Sequence, residues 1–142
     1  MNNFIFKSII LGFLTFNGIA FSKSICDSEI VKDAVKITAN GPVQTKDGLL
    51  RKVSCEYSTL IYDFLFNDEM SEIFSQDMTP EKTKESKDLL QNMLNFMYCD
   101  ETGFANHFKK ESIPMIFKYS TPQQNDLFVI RADKFSCKKK IR

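Results

Sequence analysis

The period of hydrophobic positions changes several times along the chain, and each change marks an element. Over 27–39, DSEIVKDAVKITA spaces Ile30, Val31, Ala34, Val35 and Thr38 about 3.6 residues apart, as on one helix face. Asp27 or Ser28 can cap the open amides at its start, and Asn40, Gly41 and Pro42 end it. Beyond a polar loop the period falls to two. LLRKVSCEY directs Leu49, Val53, Cys55 and Tyr57 to one side, and TLIYDFLF does the same with Leu60, Tyr62, Phe64 and Phe66. A tight turn near Ser58 would join them as a hairpin.

The clearest helix lies in TPEKTKESKDLLQNMLNFMYC. Thr79 is its capping residue, Pro80 takes the first helical position, and Leu89, Leu90, Met93, Leu94, Phe96 and Met97 form its apolar stripe. Its first half is polar and projects into water. Phe104 and Phe108, four apart, suit a short helical turn that joins the core. SIPMIFKYS and LFVIRADKF then form a second hairpin around TPQQND. The order helix, hairpin, helix, hairpin predicts an α+β fold: an antiparallel sheet of about four strands packed against one long helix and one or two shorter ones.

The first residues add a compartment. One basic residue, Lys7, precedes an uncharged apolar run over 8–21, and Ala20 and Ser22 offer small side chains for cleavage. That is the layout of a secretory signal peptide over 1–22, and a run of about 14 residues is shorter than the roughly 20 of a membrane span. Ile25 before Cys26 argues against a lipid anchor, so residues 23–142 are expected as a single exported domain, periplasmic or secreted, without stable membrane insertion. The whole chain carries 19 basic and 18 acidic residues, and loss of Lys7 leaves the two in balance. No global field then draws the protein to nucleic acid.

A loop over 42–47 containing Pro42, a strand rich in Tyr and Phe, a long helix ending in Cys99, the segment SIPMIFKY and a last strand ending in Cys137 follow one another in this chain. In these features it resembles a broad group of small exported bacterial α+β proteins of unassigned function. The resemblance implies the fold and a bridge between Cys99 and Cys137, while Cys26 and Cys55 are additions to the shared pattern. Four cysteines allow three pairings. Cys99 and Cys137 end the main helix and the last strand, whereas Cys26 opens the mature chain and Cys55 lies mid-strand, and the pairs taken are accordingly Cys99 with Cys137 and Cys26 with Cys55. Each would add about 3 to 4 kcal/mol.

Candidate chemistries are few. His107 is the single histidine, eight residues after Cys99, but a sulfur committed to a bridge cannot act as a nucleophile. No CxxC serves thiol exchange, and one histidine with dispersed cysteines makes no metal site. Met93 and Met97 are read as core residues rather than copper ligands. Asp68, Glu69, Glu72, Asp77, Glu81, Glu85 and Asp88 lie near Lys82, Lys84 and Lys87 as a solvated face. Lys138, Lys139, Lys140 and Arg142 form a solvated tail. Without a Gly-rich phosphate loop, GxSxG or HExxH, no enzyme and no cofactor is expected.

Two functional classes remain: a small module that binds a protein partner in the envelope, as an inhibitor, immunity-like or escort protein, and a structural or envelope-associated protein without a dedicated target. For the first, the acidic approach to the main helix is the candidate docking surface, because Met70, Ile73, Phe74 and Met78 place apolar side chains among acids. The competing role for Ile73 and Phe74 is to fold back onto the sheet.

Overall fold

A computed structural model describes residues 24–75 and 78–137. The expected signal peptide, Asp77 and the basic tail from Lys138 lie outside the described residues. A 3-10 turn, Ile25–Asp27, leads into helix α1, Glu29–Lys36, which ends short of the expected 39. Ser28 caps it, its hydroxyl accepting the Val31 N–H at 3.4 Å. Strands β1 (Val43–Gln44), β2 (Gly48–Glu56) and β3 (Thr59–Phe66) follow. Helices α2 (Asp68–Ser75), α3 (Pro80–Cys99) and α4 (Asn106–Lys110) then lead to β4 (Met115–Ser120), β5 (Phe128–Ala132) and a closing 3-10 turn, Lys134–Ser136.

The fold is α+β, with a sheet that differs in detail from the expected one. It has five strands in chain order, and it is mixed rather than antiparallel. Each hairpin forms, β2 with β3 and β4 with β5, but β3 and β4 run parallel where the hairpins meet. The helical connection α2 to α4 returns the chain to the end of the sheet where β3 began, and such a crossover makes neighbouring strands parallel. The fifth strand is β1, two residues too short to show a period, pairing Val43 with Leu50.

Two local features shift the expected faces. Arg51 and Lys52 together oppose Asp63, a β-bulge, so that Leu50 rather than Leu49 shares a face with Val53. Tyr57 does not join that face: it forms the hairpin turn with Ser58, at φ 50° and 57°, and its side chain is 97% exposed. Two successive positive φ angles give the turn whose twist suits a two-residue hairpin.

One face of the sheet carries the core. Val53, Leu60, Tyr62, Met115, Ile130 and Ala132 are buried there against Val31 and Ala34 of α1 and Leu94 and Tyr98 of α3. The expected α3 stripe is rotated: Leu94 and Tyr98 are buried and Leu90 and Met97 half-buried, whereas Leu89, Met93 and Phe96 are exposed. Tyr98 lies outside the expected stripe because a tyrosine reads as amphipathic, yet its hydroxyl donates to the Ile113 carbonyl at 2.9 Å and so can be buried without loss. Phe108 joins the core but Phe104, 62% exposed, does not. Disulfides Cys26–Cys55 and Cys99–Cys137 tie the first turn to β2 and the end of α3 to the chain end. The opposite face is mixed: Lys52, Ser54, Glu56, Asp63 and Lys118 stand there beside Ile61, Leu65 and Ile116, and Arg51 reaches Asp63 at 2.7 Å and Ser120 at 3.3 Å across it. No helix among the described residues is long and apolar enough to cross a membrane.

Candidate functional site: an aromatic groove

Tyr62, Phe64 and Phe66 alternate along β3, and the parallel register sets Phe117 opposite Tyr62 and Tyr119 opposite Phe64. All five therefore rise from the same face. Tyr62 and Phe117 stack with centroids 4.6 Å apart and planes 3° from parallel, and Phe66 stacks on Tyr119 at 5.2 Å. Phe64 meets both Phe66 and Tyr119 edge-on, at 5.6 and 5.8 Å. Such offset and edge-to-face pairs add to what burial alone contributes, so the rings form one ordered floor.

The helices leave this floor partly open. α1 packs toward β2 and α3 toward β5. Between them lies a groove of about 520 Å³, within the ordinary range of ligand sites. Met70 and Phe74 of α2 form one wall, Leu90 and Met93 of α3 another, with Phe104, Thr45 and Asp47 at the mouth. A second hollow of about 360 Å³ shares Tyr62 and Phe104 with it and continues toward Ile30, Ile37, Asp33 and His107. The two form one apolar trough along the helical side of the sheet.

Burial pushes the phenols of Tyr62 and Tyr119 up to about 12, so both remain neutral across the physiological range. They offer flat apolar surface rather than charge. Asp47 is the one carboxylate in the lining of the larger hollow. The arrangement suits recognition of an apolar surface with a few polar contacts at the mouth.

The other predicted residues fall in three places. Phe74 folds back onto the sheet, its ring 4.9 Å from Phe66 and 5.2 Å from Phe128, and Met70 lines the groove. Ile73 points to water, 59% exposed, and Met78 is half-buried beyond α2. The structure therefore splits the expected docking surface, because α2 is a separate helix whose inner side carries Met70, Phe74 and buried Ser71. Cys99 is bonded to Cys137, and exposed His107 has its ring 4.1 Å from that of Phe108. Met93, expected in the core, is 52% exposed at the groove wall. Among the described residues no three His, Cys, Asp or Glu side chains are placed to hold a metal. The floor went unrecognised as a site because alternating aromatics read equally well as covered core. Its signal was the density of rings on two neighbouring strands, more than short helices can cover.

No family model matches the chain, and no curated protein matches it. Two solved structures share its fold. One is a candidate secreted protein of Pseudomonas aeruginosa, 17% identical, with a TM-score of 0.53 over 78% of this chain and 92% of that one. The other is the pilotin EpsS of the Vibrio vulnificus type 2 secretion system, 11% identical, with a TM-score of 0.50 over 77% of this chain and 88% of that one. At these identities the likeness establishes a shared fold alone, and one of the two neighbours is a secretion-system component.

Proposed function

We propose that this chain is a non-enzymatic, exported protein-binding module of the escort kind, and that the aromatic groove is where it holds an apolar segment of its partner. The observation that carries the reading is the groove itself: an ordered floor of five rings, four stacked and Phe64 edge-on, beside the exposed side chains of Met93 and Phe104. Aromatic residues and methionine are the types that anchor the centres of protein interfaces. Two disulfides suit an oxidising compartment, and the fold shared with a secretion-system pilotin is in keeping with an envelope partner. Met70 and Phe74 both belong to this contact surface, Phe74 with its ring packed against Phe66.

The test uses exposed positions, so that folding and binding can be separated. Met93→Lys and Phe104→Lys place a charge at the wall and mouth, while Lys52→Glu alters the opposite face of the sheet. The exported variants are purified with whatever they retain from the envelope, and their melting temperatures are measured alongside. Both groove variants should melt like the parent and lose the co-purifying protein, with Lys52→Glu retaining it. Retention by both groove variants would overturn the assignment.

A further inference from the structure

β5 is an edge strand of the sheet, and a bare edge offers its outward N–H and C=O groups to any other extended chain. Here one side chain takes the place of the missing strand. Gln91 of α3 donates from Nε2 to the Arg131 carbonyl at 2.6 Å and accepts the Arg131 N–H on Oε1 at 3.2 Å, so its amide makes the two bonds that a paired residue would exchange. The same Nε2 also donates to Asn95 Oδ1 at 3.0 Å, one turn along the helix, which fixes the amide in this orientation. We propose that Gln91 is an edge stopper, and that the surface it closes is a strand-pairing surface for a second copy of this chain.

The partner follows from the register. Arg131 faces outward, as its bonds to Gln91 show, and with a period of two so does Val129. Two β5 strands pairing antiparallel about Ile130 would set Val129 of each against Arg131 of the other. Both outward-facing residues then find partners, and no two arginines stand opposite each other. In that register every exchanged pair uses Arg131, so a single glutamine closes the whole edge. The other side of the sheet is treated alike: beyond short β1, the Val53 N–H of β2 donates to Thr38 Oγ1 at 2.9 Å.

Gln91→Met keeps the unbranched stem and the helix preference while removing both polar atoms, and Gln91 sits half-buried on a helix surface, so the variant retains the fold. Light scattering across a wide concentration range reads the mass, and amide exchange reads the Arg131 N–H. The parent should stay monomeric with Arg131 protected. The variant should expose Arg131 to exchange when dilute, and shift to dimer mass with renewed protection when concentrated. Adding Val129→Pro, which deletes an outward N–H, should return it to monomer. A folded Gln91→Met that stays monomeric at every concentration, or a dimer that survives Val129→Pro, would overturn the proposal.

Discussion

Met93 and Leu94 are neighbours in sequence with opposite roles: one is 52% exposed at the groove wall, the other 1% exposed under it. Leu94→Ala should cost about 2 to 5 kcal/mol in denaturant unfolding, as a truncation in a packed core does. Met93→Ala should stay within about 0.5 kcal/mol of the parent, the usual range for surface positions. Equal losses at both would mean that the groove is closed in solution. The tyrosines give a second check. Because the fold raises the Tyr62 and Tyr119 phenols from 10.0 to about 12, it favours their neutral forms. The associated stability is fully present below pH 10 and is lost as pH rises through the folded value near 12. Tyr119→Phe should therefore flatten the alkaline limb of a stability curve; an unchanged limb would contradict its burial. The rotation of the α3 stripe shows where the sequence misled: Leu89, Met93 and Phe96 are as apolar as Leu90, Leu94 and Met97, so periodicity alone admits two overlapping faces. Tyr98 decided which of them turned inward, and its anchor, the Ile113 carbonyl, is remote in sequence.

Hairpins were legible because each is local: two alternating runs and a turn contain their own instructions. The parallel junction between β3 and β4 was not, since it depends on how three helices cross the sheet before β4 begins. The β2 bulge was hidden for a related reason, as Arg51 reads like any polar strand position until Asp63 and Ser120 come within reach of it. In sequence α2 reads as the approach to α3, and its separation is what turns Phe74 inward toward Phe66 and Phe128. The crosslinks join elements that few other contacts hold. Cys26–Cys55 closes 29 residues and Cys99–Cys137 closes 38. Chain entropy assigns each about 4 kcal/mol, so replacing either pair by serine should lower the unfolding free energy by about that much. A loss near zero for the first pair would mean that α1 docks on β2 without its staple.

Helices packed on one face of a sheet ordinarily cover it, and here they leave a trough over its most aromatic part. Retaining apolar surface in that position costs stability and solubility unless something else uses it. The balance of acidic and basic residues gives no long-range steering toward a polyanion, so recognition falls to short-range contact in the groove. This is the central claim, and site-specific photocrosslinking in the exporting cell addresses it most directly. A photoreactive residue replaces Met93 or Phe104 in the trough in two variants, and Lys52 on the opposite face of the sheet in a third. The account predicts one discrete heavier adduct, the same from Met93 and from Phe104 and absent from Lys52. Adducts from Lys52 alone, or none from either trough position in folded protein, would contradict it.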